Sequence, residues 1–231
     1  MKPILFNTEM VKGILDGRKT VTRRVIKLKY SNTHIEWRTD KYGTSLVELQ
    51  NDIEGETHGT REDGTTWRKL LGYREIVPPY HKGQTLYVRE TWFYEQHMED
   101  ATFGNPDLPS GRYSHRYVYR ADNPDYPVDV GVGAHGWRPS IHMPREAARI
   151  FLRVTDVRVE RLQNITPDDA IREGIIKAPF YEWRLMARSE FEDLWNNTIP
   201  KKDIGKYGWD ADPWVWVIEF EPCEKPEGGD V

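Results

Sequence analysis

Cysteine is almost missing from this sequence. Cys223 is alone among 231 residues, which excludes an internal disulfide and a thiolate metal cage. An excess of positive charge is missing too: 33 basic against 37 acidic residues leave a formal charge of −4. That balance argues against strong non-specific nucleic-acid binding, which runs on net positive potential, while leaving a local basic cleft allowed. No apolar run approaches the span of a bilayer, and Met1 to Glu9 lack the basic-then-apolar pattern of a signal peptide. A cytoplasmic location with no membrane partner is therefore expected. The seven histidines (His34, His58, His81, His97, His115, His135 and His142) are scattered, with no pair at helical ligand spacing, so no metal is expected. Gly131-Val132-Gly133 lacks the strand-to-helix setting of a dinucleotide fingerprint, and no cofactor is expected. There is no internal repeat and no low-complexity run.

What the chain has in surplus is aromatic surface: nine Trp and twelve Tyr in a sequence that is 38% hydrophobic and 30% charged. Such a surplus fills a β-barrel or lines a face that stacks on flat ligands. The densest stretch in charge is Gly17-Arg18-Lys19-Thr20-Val21-Thr22-Arg23-Arg24, which sets four cations among three β-branched residues. Lys19 and Thr22 are three apart and can converge on one small ligand. The neighbouring arginines push a lysine pKa down by like-charge repulsion. The same loop has a plainer reading, a solvated basic turn meeting the dipole at a helix C-terminus.

Taken in order, Ile4-Leu5-Phe6 predicts a first strand. Thr8 reads as an N-cap, and Met10, Val11, Ile14 and Leu15 recur at helical spacing up to Gly17. Val21 to Ile26 predicts a second strand. Residues 28 to 80 read as an insertion of hairpins, with alternation at Ile35 to Arg38 and Ser45 to Leu49 and a loose tip around Asn51 to Thr66. Thr85 to Trp92 reads as one firm strand with Leu86, Val88, Glu90 and Trp92 on a common face. Residues 94 to 138 read as a second insertion, a long loop holding one strand at Arg116 to Arg120. A strand is expected from Ala148 to Val154, continued at Val157 and Val159. Thr166-Pro167-Asp168-Asp169 is a strong helix start, with the helix stopping at Gly174. Phe180, Trp183, Ala187, Phe191, Leu194 and Trp195 form the stripe of a longer helix. Trp214 to Glu221 predicts the last strand, and residues 225–231 a disordered tail.

The loop at Gly17 to Arg24 resembles the signature of ASCH domains, a branch of the PUA-like superfamily, with Gly17, Lys19, Thr22 and Arg24 in the signature places. Gly83 to Trp92 looks like the second conserved strand of larger, often phage- or prophage-encoded members, and Arg153 to Gly174 resembles the strand and short helix that follow. The resemblance implies an α+β, mainly β fold: one PUA-like (ASCH) β-barrel domain over residues 1–224, with short peripheral helices and two loop or hairpin insertions. It implies a cleft that handles RNA or a modified nucleoside. Small bacterial members include amidohydrolases that deacetylate N4-acetylcytidine with a Lys, a Thr and a Glu. By resemblance these roles fall on Lys19, Thr22 and, through the short helix, Glu173.

Amide hydrolysis at such a site needs Thr22 as nucleophile and a neutral Lys19 to take its proton, a pKa fall worth roughly 4 kcal/mol. A close, ionised Glu173 opposes that fall. Glu90 lies in line with apolar residues, which points to a cleft or to a buried ion pair with an arginine such as Arg24 or Arg138. Trp92 and Trp137 are candidates for base stacking. Arg89 and Arg138 are candidate phosphate or carboxylate ligands, and Arg23 and Arg24 complete the ligand-binding set. Three functions follow as expectations: binding of RNA or a modified nucleobase, deacylation of an N4-acetylcytidine-type nucleoside, and a phage-related assembly or partner-binding role carried by the insertions. The oligomeric state is left open by the sequence.

Overall fold

The computed structural model describes residues 1–30, 33–41, 43–51, 59–60, 62, 66–67, 70–99, 112–125, 136–175 and 183–226. The described residues form twelve strands and four α-helices. They are β1 (Lys2–Leu5), α1 (Thr8–Leu15), β2 (Val21–Val25), β3 (Thr33–Asp40), β4 (Gly43–Asn51), β5 (Gly59–Thr60), β6 (Thr66–Trp67) and β7 (Leu70–Glu75). The rest are β8 (Thr85–Arg89), β9 (Trp92–Glu99), β10 (Arg112–Tyr119), β11 (Phe151–Arg161), α2 (Pro167–Arg172), α3 (Trp183–Thr198), α4 (Ile204–Tyr207) and β12 (Trp214–Cys223). The fold is mainly β with helices added.

The main sheet has the order β1-β8-β11-β12-β2, with β1 parallel to β8 and the other pairs antiparallel. β12 lies between β11 and β2 and is buried on both faces, because its alternating residues serve two cores. Trp216, Ile218 and Phe220 join Ile4, Phe6, Ile26, Leu86, Val88, Leu152 and Val154 on the inner face. Val215 and Val217 pack on the other face against Ala170 of α2 and Ala187, Phe191 and Trp195 of α3.

Residues at both sheet edges, Ile4 on β1 and Ile26 just past β2, share the inner core, so the sheet curls. It does not close. β1 and β2 form no ladder with each other, and the closed barrel implied by the resemblance is corrected to an open, curled sheet. A side chain spans the edges instead: Arg24 on β2 donates from Nη2 to the carbonyl of Leu5 on β1 at 2.8 Å. Its guanidinium lies 5.4 Å from the Phe6 ring centroid.

The first insertion forms a three-stranded sheet, β3-β4-β7, at the alternating segments. Leu46 and Ile76 anchor it to the inner core. Most of the tip between Asn51 and Thr66 lies outside the described residues, as do Phe180 in the helical stripe and residues 227–231 of the tail. The second insertion contains a hairpin, β9 with β10, where the sequence suggested mostly loop. The firm strand expected through Trp92 breaks at Glu90 and Thr91. There the Glu90 amide faces Met143 Sδ at 3.2 Å, and Trp92 begins a new ladder with Tyr119.

Two helix starts show how local chemistry sets these elements. Asn7, not Thr8, caps α1, its side chain accepting from the Met10 amide at 2.9 Å. Asn is as good a cap as Thr, and Thr8 becomes the first helical residue. Thr166 caps α2 as expected, accepting from the Asp169 amide, and Gly174 ends it at φ +92°.

Burial on both faces makes β12 the stability centre of the sheet. Ile218→Ala is expected to cost about 2–5 kcal/mol, since Ile218 is fully buried. Leu15→Ala, at a half-exposed position on α1, should stay within about 0.5 kcal/mol of the parent. Urea unfolding of the two variants measures both.

Candidate functional site

The basic loop does not stand in solvent. α1 ends at Asp16, Gly17 turns the chain at φ +74°, and residues 19 and 20 are laced between two helix ends. The Lys19 amide donates to Gly13 O at 2.9 Å, the Thr20 amide to Arg172 O at 2.9 Å, and Thr20 O accepts from the Phe220 amide at 2.9 Å. Lys19 and Glu173 form an isolated antiparallel bridge. The lysine stem passes between two glycines. A Cβ on Gly174 would meet Lys19 Cβ at 3.0 Å, and one on Gly13 would meet it at 3.3 Å.

The Lys19 side chain is 0% exposed. Its ammonium has three protons and three acceptors: Glu173 Oε2 at 2.7 Å, Glu173 O at 2.9 Å and Val21 O at 2.9 Å. Burial is the largest influence on its pKa and pulls it below the ordinary lysine range; Glu173 opposes, and Arg24 and Arg23 add smaller downward pushes. The like-charge effect anticipated from the sequence is thus present but secondary. Arg18 turns away, pairing with Asp16 and Gly174 O.

Glu173 caps α2 and receives a second cation. Arg23, with a side chain 0% exposed, donates from Nη1 to Glu173 Oε1 at 3.2 Å, and its Nη2 lies 3.4 Å from Asp169 and 3.5 Å from Glu160. The network continues outward. Arg172 holds Asp169 and Glu219, and Arg158 holds Glu160 and Glu219. Asp169 and Glu173 are four apart on α2 and share a face.

Beside this cluster lies a pocket lined by Met10, Thr22, Arg23, Arg24, Glu173 and four residues of α3, among them Phe191 and Trp195. It runs along β2, the free edge of the sheet. Thr20 and Ile26 spend their backbone groups on β12, so by antiparallel alternation Val21, Arg23 and Val25 turn theirs outward, where the Val21 carbonyl is taken by Lys19 Nζ. Its enclosed volume is about 30 Å³, room for about two waters.

Lys19, Thr22, Arg23, Arg24 and Glu173 are therefore together. The remaining expected residues form a separate group around the break between β8 and β9. Glu90, 1% exposed, is paired at 2.9 Å with Arg149, not with Arg24 or Arg138. Burial pushes its carboxyl up and Arg149 opposes. Arg149 also holds Asp122 and lies over the Tyr119 ring. Trp92, expected as a stacking platform, is 4% exposed and packed on Met143, Ala147 and Tyr117, so its ring faces are taken. Arg138 exchanges backbone hydrogen bonds with Trp92 and sits over its ring at 5.1 Å. Arg89 donates to Ile141 O, and Trp137 lies edge-on to Phe93.

Sequence reasoning missed Glu160, Asp169 and Arg149 as ion-pair partners. For Asp169 the signal was its helical spacing from Glu173; Glu160 arrives from β11 and Arg149 from the segment just before it, which spacing does not reveal. Among the described residues no three His, Cys, Asp or Glu side chains gather in a manner that could hold a metal ion, and no helix is long and apolar enough to cross a membrane. Compared with protein-family models, curated proteins and solved structures, the chain matches none.

Removing one partner of a buried pair leaves the other charge uncompensated. Glu173→Gln is expected to lose about 3–5 kcal/mol, and adding Lys19→Met to recover part of it, a coupling of about 0.5–3 kcal/mol. The pH dependence has a definite sign. Lys19 titrates lower when folded, so the unfolded chain holds more protons there, and this residue's contribution makes stability rise with pH up to its ordinary value. The rise should be steeper in Glu173→Gln, where the opposing influence is gone. Urea unfolding across pH in parent, single and double variants measures this.

Proposed function

We propose that the pocket at the β2 edge binds a modified nucleobase or nucleoside, free or within a short RNA, and that the chain is an ASCH-type member of the PUA-like superfamily. The observation that carries this reading is the composition of one small hollow. Thr22, Arg23, Arg24 and Glu173 line it together with Phe191 and Trp195 of α3. Convergent polar groups beside flat apolar walls suit a planar heterocycle. The loop signature supports the same reading, since its Lys19 meets Glu173 in direct contact.

A second reading, deacylation of an N4-acetylcytidine-type nucleoside, is favoured by one feature: the 2.7 Å Lys19–Glu173 contact joined to a lysine whose pKa burial lowers. With all three ammonium protons engaged, Lys19 is not a base as it rests. Passing one proton to Glu173 gives a neutral amine and a carboxylic acid. The amine then takes the Thr22 hydroxyl proton as Oγ attacks the acyl carbon. The acid returns its proton to the departing amine, and water releases acetate from the acyl-threonine.

Calorimetric titration with N4-acetylcytidine, cytidine and a short RNA tests the binding. Saturable nucleoside binding is expected, weakened roughly tenfold by Thr22→Val, the loss of about one hydrogen bond. Absence of binding by any of the three at low salt overturns the reading. Product analysis of the same mixtures tests the chemistry: cytidine and acetate should form, and Lys19→Met and Thr22→Val should each slow this at least about 100-fold. Turnover that survives both substitutions removes the catalytic assignment.

A further inference from the structure

Arg23 is the one side chain shared by the ion network and the pocket wall whose hydrogen-bonding capacity is incomplete. Its Nη1 is committed to Glu173 and its Nη2 to Asp169 and Glu160. Its Nε–H is buried and has no acceptor among the described residues. The guanidinium is buried: its side chain is 0% exposed, and its Cζ lies 5.8 Å from the Phe191 ring centroid. A buried donor left without a partner is costly, and a residue lining a hollow has a remedy the rest of the core lacks.

The charges around it define what that partner is. Lys19, Arg23 and Arg24 supply three positive charges, and Glu160, Asp169 and Glu173 supply three negative ones. The outer arginines Arg158 and Arg172 are matched by Glu219 and Asp156, so the cluster has no surplus cation to neutralise an incoming anion, and two of its carboxylates already contact Arg23 at its outer nitrogen. An anionic oxygen gains the one N–H and meets three carboxylates. A neutral carbonyl oxygen gains the same bond without that repulsion.

We propose that Arg23 Nε–H is a ligand-binding donor that receives the carbonyl oxygen of a neutral planar amide or ureide, such as the ring carbonyl of a pyrimidine or the acyl carbonyl on its amine. This deepens the function proposed above and rests on it for the identity of the larger ligand, while the oxygen site can be tested with small amides alone. It also assigns Arg23 a role separate from holding Glu173.

The experiment follows the Arg23 Nε–H signal in nitrogen–proton correlation spectra of the whole chain labelled in arginine. Loss of the signal in Arg23→Lys, or its proximity to Phe191 ring protons should that variant not fold, gives the assignment. Acetamide, acetate, cytidine and N4-acetylcytidine are then added in turn. Acetamide is expected to move the signal saturably, and acetate at equal concentration to leave it in place. A signal that acetamide does not move overturns the proposal, as does one that acetate moves as far. Nucleosides that bind by calorimetry without moving it overturn the oxygen site and leave the proposed function standing. A signal moved by acetamide in a protein that binds neither nucleoside leaves the oxygen site and removes that function.

Discussion

The ammonium of Lys19 lies out of reach of water, with each of its three protons on an acceptor, two of them supplied by Glu173. That contact fastens the end of α2 to the start of β2, segments separated by more than half the chain. Because an isolated buried charge is destabilising by several kcal/mol, the pair imposes conditions on everything around it. The chain must approach closely enough for the stem to pass Gly13 and Gly174, positions where a Cβ would crowd it. Glu173 must also be held from its other oxygen, and Arg23 does this from β2. Each condition draws in further residues, until the buried pair is joined through Asp169, Glu160 and Glu219 to arginines nearer the surface.

Such a network is not an efficient source of stability, since apolar residues of similar volume often serve as well. Its value lies in what it fixes. The carboxylate, two guanidinium groups and a threonine are brought to the free edge of a curled sheet, against aromatic side chains of α3. The open sheet matters here. Had β2 paired with β1, its outward backbone groups would be consumed by a ladder. With the edges joined by the Arg24 side chain instead, a polar strip remains beside the pocket.

Much of this frame was legible from local pattern. The cap and stop of α2 follow from Thr166, Pro167 and Gly174, and the last strand from the apolar residues between Trp214 and Glu221. Spacing also suggested that Lys19 and Thr22 share a region. The misses have a common physical source: they depend on what tertiary contact adds. Glu90 pointed to a cleft or to an ion pair with an arginine such as Arg24 or Arg138, yet its partner is Arg149, from the segment that leads into β11. Trp92 looked like a stacking platform because it ends an alternating run, while the hairpin of β9 and β10 encloses it. The closed barrel came from the resemblance, and local pattern says nothing about whether sheet edges meet.

The whole site depends on Lys19 being a buried cation whose charge is disfavoured by its surroundings and retained by Glu173. Nitrogen–proton NMR of the Lys19 side chain, followed across pH, tests this most directly. The account predicts a titration midpoint below the ordinary lysine value of 10.5, with Glu173 working against the fall and burial outweighing it. A midpoint at or above that value would contradict it.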